Sequence, residues 1–392
     1  MKEVVVVSGV RTAVGTMDGS LKDIHESDLG GLVIAEAVKR AGIDPACVDE
    51  AIVGCVGQIA ESGFIGRTCS LKGGLPLETT AYSVNRQCGS GLQAINSGVQ
   101  AIQCGQADVI VAAGTENMDL LPYYARNARY GYRMGDGVLQ DGIISILTWP
   151  MGPYHNGTTA ENVAEKYSIS REDQDAFALL SQEKALKAIA EGKFKEEILP
   201  IEIKEKKTTR IFDTDEHPRA GLTLEKLGKL RPAFKTGGSV TAANSSGIND
   251  GAAAAVLMSR EKADALGVKP LLRVVDYAVA GNSPDYMGFA PALSTAKLLK
   301  RTGLSVADID LFELNEAFAS QSLAVIRDLN LPMDRVNVNG GAIALGHPIG
   351  ATGVILTVKL MNEMQRRKAC YGLVTMCIGG GQGISTIFER VV

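Results

Sequence analysis

The sequence predicts an α/β fold of two duplicated halves, each a mostly parallel sheet with crossover helices, interrupted by an inserted loop domain. Three observations carry this. Apolar strand-length runs alternate with helix-spaced apolar residues up to about residue 118. From 119 to 248 that alternation stops. After it, the early pattern returns in the same order.

In the first half, Val4–Ser8 has the composition of a buried strand. A helix is expected from Asp28 to Ala41, N-capped by Ser27 or Asp28 and closed by Gly42. Ala51–Val53 and Thr80–Val84 read as short strands. Leu92, Ile95, Val99 and Ile102 then recur at helical spacing, with Gly105 as the stop, and Asp108–Ala113 is a further strand ending at Gly114.

The middle stretch is rich in Tyr, Arg, Gly and Met over 119–150. Two charged amphipathic helices follow over 158–192, the second carrying Gln174, Phe177, Leu180 and Leu186. Beyond them lie Ile198–Ile203, a basic run Lys204–Arg210, and loops marked by His217-Pro218-Arg219 and Pro232. Long loops in a compact protein are usually functional.

The second half begins to repeat the first at a constant offset. Lys39-Arg40-Ala41-Gly42-Ile43 with Val48-Asp49 matches Lys300-Arg301-Thr302-Gly303-Leu304 with Ile309-Asp310. Val84-Asn85 before the Cys88 turn matches Val338-Asn339 before the Gly346-His347-Pro348 turn. Each turn leads to an apolar helix, with Val354, Ile355, Val358 and Met361 in the second copy, and then to a strand, Leu373–Met376 answering Asp108–Ala113. The domain reading is 1–118 as the N-terminal half, completed by 249–268; 119–248 as the insertion; and 269–392 as the C-terminal half.

Composition narrows the partners. Of the 392 residues, 45% are hydrophobic and 21% charged, with a formal net charge of −4. That balance gives no electrostatic footprint for nucleic acid. The longest apolar runs are strand-length, so no membrane span is expected. No secretory core follows Met1-Lys2-Glu3, and cytoplasmic localisation is the expectation. The seven cysteines have no Cys-x-x-Cys spacing and only four histidines accompany them, which argues against a disulfide framework or a zinc site. No metal and no resident cofactor are expected.

Cys88 lies where a strand turns through glycine into a helix. The positive end of the helix dipole lowers a thiol's pKa there and favours a nucleophilic thiolate. The competing reading is a small buried residue at a tight turn. Ligands of α/β sheets sit beyond the carboxyl ends of strands. A pseudo-dyad between two copies would therefore bring together the Cys88 loop, His347, the Asn315-Glu316-Ala317-Phe318 loop and Cys377-Ile378-Gly379-Gly380-Gly381. Singly, these could be a turn histidine, a helix cap, a strand-end thiol and a glycine turn. Together they make a set suited to acyl transfer through a thioester.

These four loops resemble those of the thiolase family, which includes acetyl-CoA C-acetyltransferases and 3-ketoacyl-CoA thiolases. The resemblance covers essentially the whole chain. It is most specific at the stretch from Asn337 to Gly350, and also at Ser246-Gly247-Ile248-Asn249-Asp250-Gly251-Ala252 and Gly157-Thr158-Thr159-Ala160-Glu161-Asn162. It implies an α-β-α-β-α layering and a ping-pong Claisen condensation of two acetyl-CoA to acetoacetyl-CoA and coenzyme A, or the reverse thiolysis.

By that resemblance Cys88 carries the acyl group, His347 accepts its proton and Cys377 is the acid–base at the α-carbon. One oxyanion hole comes from His347 and a water held by Asn315, the other from the backbone N–H of Cys88 and Gly379. The insertion becomes a coenzyme A-binding loop domain, with Leu147, His155, Arg219, Ser246 and Phe318 along the coenzyme path and Met287 near the acyl pocket. Relatives build tetramer contacts near 120–135, so a homotetramer or homodimer is implied. Two residues depart from the short-chain biosynthetic pattern, in which Met follows the pocket histidine and an apolar residue precedes the nucleophile. Here these positions are Asn156 and Gln87, which leaves a 3-ketoacyl-CoA thiolase of broader or branched range as the neighbouring reading. A ketoacyl synthase is disfavoured because Cys377 stands where those enzymes use a second histidine. A non-catalytic acyl-CoA-binding protein would be expected to lack part of this set.

Overall fold

The computed structural model describes residues 1–204 and 208–392. Nine strands form its frame: β1 (Val4–Thr12), β2 (Glu50–Gly54), β3 (Thr80–Val84), β4 (Val109–Asn117), β5 (Asn249–Ser259), β6 (Leu272–Gly281), β7 (Leu311–Leu314), β8 (Tyr371–Ile378) and β9 (Gln382–Arg390). They lie in the order β7-β8-β9-β6-β1-β5-β4-β2-β3. Read outward from the β1–β6 contact, each half repeats one sequence of strands. The register repeats too: β1 has an irregularity against β5 between Val6 and Ser8, and β6 has one against β9 between Val274 and Asp276. Duplication therefore extends to a local break in the ladder.

The sheet is mixed rather than mostly parallel. β2 pairs in parallel with β3 and β4, as β7 does with β8, but β5 and β9 run antiparallel to both of their neighbours. Apolar runs mark strands without encoding direction. β9 follows β8 through the three-residue turn Gly379–Gly381. In the first half the equivalent β4-to-β5 return is occupied by the whole stretch from Met118 to Ile248.

The long helices are α1 (Glu26–Ala41), α2 (Ile65–Lys72), α3 (Ser90–Gln103), α4 (Asn156–Lys166), α5 (Arg171–Ala190), α6 (Ala290–Thr302), α7 (Ala319–Leu329) and α8 (Thr352–Arg367). α1 packs on β5, β1 and β4, and α6 packs on β6, β9 and β8. Between the two sheet halves lie α3 and α8, giving the α-β-α-β-α layering. They approach so closely that a Cβ on Gly353 would lie 2.1 Å from the Leu92 nitrogen, and one on Gly91 would lie 2.9 Å from the Gly350 oxygen. Only glycine allows that crossing.

Several sequence expectations shift. α1 begins at Glu26 and is capped by the His25 ring, whose Nδ1 accepts from Ser27 N–H, rather than by Ser27 or Asp28. β4 runs on to Asn117. Val338-Asn339 is no strand: the second-half counterpart of β3 shrinks to one parallel bridge, Phe312 with Val336. α5 buries Gln174, Asp175, Ser181 and Gln182 beside Phe177, while Leu180 and Leu186 are only half-buried. Its inner face serves polar anchoring as much as apolar packing.

Within 119–248, Ile198–Leu199 pairs with the end of β1. Arg11 binds Glu197 at 2.8 Å and Asp215 at 2.7 Å there, all three buried. Residues 205–207 of the basic run lie outside the described residues. None of its described residues lines the cavity discussed below. Among the described residues no helix is long and apolar enough to cross a membrane.

Candidate active site

β3 ends at Val84 and α3 starts at Ser90, so five residues must reverse the chain. Gln87 takes φ +47°, a left-handed conformation rare for a residue with a Cβ. The turn is held by Asn85 Oδ1 accepting from Gln87 N–H at 3.0 Å. Ser90 Oγ also accepts from Arg86 N–H at 2.9 Å and donates to the Gln87 carbonyl at 2.6 Å. Backbone strain held in this way is a common mark of a functional turn, and here it lies immediately before Cys88.

The thiol itself is buried. Burial pushes its pKa up to about 11, against the opposing pull of backbone hydrogen bonds from Gly379 and Cys88. This corrects the expectation of a thiolate at the helix terminus, because loss of hydration outweighs the helix end. Cys88 rests as a thiol and needs a base. Cys377, at the end of β8, has no solvent exposure, and its pKa is driven well above the ordinary range by burial and then by the nearness of Cys88.

His347 is fixed by three bonds. Its N–H donates to Asn249 Oδ1 at 2.9 Å, its Nδ1 lies 2.6 Å from Thr352 Oγ1, and its Nε2 lies 3.3 Å from Asn315 Nδ2. Thr352 spends its hydroxyl proton on the Pro348 carbonyl at 2.8 Å, so it accepts from His347. That assigns the proton to Nδ1 and leaves Nε2 as a base. Burial lowers the imidazole to about 4, so the ring is neutral at pH 7. Asn315 Oδ1 is buried without a protein partner among the described residues.

Cys88 and His347 open onto a cavity of about 590 Å³, which Leu147, His155, Asn156, Arg219, Ser246, Met287 and Phe318 also line. Asn315, Cys377 and Gly379 are not among its lining residues. Cys377 packs with Met287, Ala317 and Phe318 in the wall, and Gly379 meets Cys88 through its N–H. His155 stacks on Phe234 with centroids 5.0 Å apart, and Phe234 meets Phe318 edge-on at 6.1 Å, forming an aromatic wall. The Gly379–Gly381 turn needs its glycines: Gly380 and Gly381 have φ +84° and +83°, and a Cβ on Gly380 would lie 2.9 Å from the Trp149 ring. The Gln87 side chain packs beside Gly379.

Three residues central to this geometry had no role assigned in the sequence. Thr352 sets the His347 tautomer. Asn249 joins the His347 backbone to Gly15 and to the His217 ring. Glu116 accepts from the N–H groups of Val56, Gly57 and Gly350, tying the two halves together behind the site. Asn249 stands within the family-like stretch Ser246–Ala252, so a motif signal existed for it, whereas Glu116 lies outside every such stretch. Thr352 is a hydroxyl in an apolar helix and carried none.

Comparison with known proteins agrees with this arrangement. Residues 4–261 match the thiolase N-terminal domain and residues 268–390 the thiolase C-terminal domain. An acetyl-CoA acetyltransferase of Syntrophomonas wolfei is 52% identical over 396 residues, covering 100% of both chains. Among solved structures, the acetyl-CoA acetyltransferase of Bacillus anthracis superposes with a TM-score of 0.98 at 46% identity, over 100% of this chain and 99% of that one. Human mitochondrial 3-ketoacyl-CoA thiolase in complex with CoA superposes at 0.96 with 42% identity, over 100% and 98%. With Cys88 and His347 on one cavity, Cys377 packed behind its wall, and matches along its full length, this chain belongs to the thiolase family.

Proposed function

We propose that this protein is an acetyl-CoA C-acetyltransferase, condensing two acetyl-CoA to acetoacetyl-CoA and coenzyme A and catalysing the reverse thiolysis. The observation that carries this reading is the buried Cys88 thiol facing the same cavity as a neutral His347, whose Nδ1–H bond to Thr352 leaves Nε2 unprotonated. In the first step Cys88 Sγ attacks the thioester carbonyl while His347 Nε2 takes its proton. The resulting imidazolium is stabilised by its Nδ1–H bond to Thr352. Coenzyme A leaves as its thiol by taking the Cys377 proton, which generates the Cys377 thiolate and keeps the Cys88 proton on His347 Nε2 until Cys88 is released.

In thiolysis, Cys377 protonates the departing acetyl carbanion. A buried thiol with a raised pKa holds its proton until a strong base forms beside it, which suits that role. In condensation the Cys377 thiolate removes the α-proton instead. The N–H groups of Cys88 and Gly379 form one oxyanion hole, and His347 with a water on Asn315 forms the other, each donor being worth about 10²–10³ in rate. No metal or resident cofactor enters these steps.

Residues 119–248 are the proposed coenzyme A-binding loop domain, with His155, Phe234 and Phe318 against the pantetheine and Arg219 toward the phosphates. A homodimer or homotetramer fits the uncovered outer edge of β3, where Tyr82 and neighbouring Phe64 are exposed. A cytoplasmic location, expected from the sequence, and a place in fatty acid metabolism are part of the same proposal. The 3-ketoacyl-CoA thiolase alternative is favoured by one observation: Asn156 puts an amide in the cavity wall. A non-catalytic acyl-CoA binder is disfavoured because no member of the catalytic set is missing.

The test is acylation by acetoacetyl-CoA followed by intact mass measurement. Wild type acquires one acetyl group on Cys88 and Cys88→Ser acquires none, with turnover lost. Cys377→Ala blocks acetoacetyl-CoA cleavage but still takes an acetyl group from acetyl-CoA. Normal turnover by Cys88→Ser would falsify the assignment.

A further inference from the structure

Much of the wall of the cavity onto which Cys88 opens is apolar, with Met118, Ile143, Leu147, Met287 and Phe318 among its residues. Asn156 interrupts it. This residue opens α4 and is 8% exposed, yet no hydrogen bond to another described residue falls on its side-chain amide. Its backbone needs are already met. The N–H donates to the Leu147 carbonyl at 2.8 Å and the carbonyl accepts from Thr159 Oγ1 at 2.7 Å. Helix capping does not explain it either, because His155 Nδ1 already accepts from Gly157 N–H. With no protein partner among the described residues and a place in the cavity lining, the amide is open to whatever enters the cavity.

Resting on the thiolase reading, we propose that Asn156 is a specificity residue that selects ketoacyl-CoA substrates whose acyl chain carries a neutral oxygen, such as a hydroxyl. An amide offers both a donor and an acceptor, which a hydroxyl satisfies in either sense. A carboxylate fits less well. A buried anion needs a partner cation, and the one cation among the described lining residues is Arg219, which the proposed function places at the coenzyme phosphates. A plain alkyl chain leaves the amide desolvated and unpaired, and sites built to bond an oxygen reject analogues lacking it.

The experiment compares kcat/KM for thiolysis of 3-oxohexanoyl-CoA, 6-hydroxy-3-oxohexanoyl-CoA and 3-oxoadipyl-CoA by wild type, Asn156→Leu and Asn156→Ser. Wild type is expected to favour the hydroxylated chain over the plain one by about 10- to 100-fold. Asn156→Leu brings that ratio close to one, and Asn156→Ser, which keeps a hydroxyl, retains part of it. A wild-type ratio near one overturns the proposal, as does a ratio that survives in Asn156→Leu. An equal loss on all three substrates overturns it too, by placing the amide on an oxygen common to every substrate. Preference for 3-oxoadipyl-CoA refutes the choice of a neutral oxygen. The underlying thiolase reading is judged separately, by whether wild type cleaves acetoacetyl-CoA and leaves an acetyl group on Cys88.

Discussion

The Cys88 turn and the His347 loop occupy equivalent places in the two halves and solve opposite problems. In the first half a five-residue strand leads through a strained turn straight into α3, and Cys88 sits two residues before that helix. In the second half the strand is a single bridge at Val336, and 337–351 wander before α8 begins. The short turn is held by its own residues, Asn85 and Ser90. The long loop is held from outside, by Asn249 at His347, by Glu316 accepting from Ile343 N–H, Asn337 and Ser181, and by Lys359 on the Gly340 carbonyl. Symmetry supplies the meeting point. Asymmetry supplies two different reactive groups.

The buried acids show the same contrast. Glu313 lies on β7 opposite Val374, the register position that apolar Ile52 occupies on β2 opposite Ala112. Its pKa is raised to about 7 by burial, with Lys359 at 3.0 Å opposing the shift. Glu116 stands instead at the end of β4 and Glu316 just after β7, each collecting N–H groups from the loop it supports.

Breaking the external anchors should do the most damage. Lys359→Met leaves Glu313 buried without its cation and frees the Gly340 carbonyl. It is expected to lower unfolding free energy by about 3–5 kcal/mol in denaturant titrations. A loss no larger than that of a surface lysine would mean the long loop is self-supporting, like the short turn.

Thr352→Val tests whether the long loop serves geometry or chemistry. It keeps the shape and removes the acceptor for His347 Nδ1–H. The acetylation rate of Cys88 is expected to fall by about 10- to 100-fold, with KM little changed and Thr352→Ser restoring most of the rate. A change in KM alone would count against the tautomer assignment.

The smallest effect concerns the first half. Glu26 is buried with Oε2 unpartnered among the described residues, beside Cys55 and Glu116, and burial raises its pKa to about 7. The folded state therefore holds a proton that the unfolded state has lost, and stability falls as pH rises from about 4.5 through 7. Glu26→Gln should flatten that fall by about 1–3 kcal/mol, read as unfolding free energy against pH. An unchanged slope would show that the proton resides elsewhere.

Much of this was legible in the chain. β3 was bounded to the residue, at Thr80–Val84, because the turn into the Cys88 segment marks its end. The Cys88, Asn315, His347 and Cys377 loops were identified because duplication and motif spacing are properties of order. Strand direction was not legible, since an apolar run reads the same either way, and neither was the polar inner face of α5. Cys88's ionisation was misjudged for a related reason: the helix terminus is local, whereas burial depends on what the other half lays over it.

By itself the sequence determined the repeat, the long stretch that interrupts it and the candidate reactive groups, since these depend on residue type and spacing. Only the tertiary structure decided that Cys88 rests as a thiol, that Thr352 fixes the proton on His347, and that Asn156 lines the cavity with no side-chain partner among the described residues. Each of these is set by desolvation and hydrogen bonding between segments far apart in the chain.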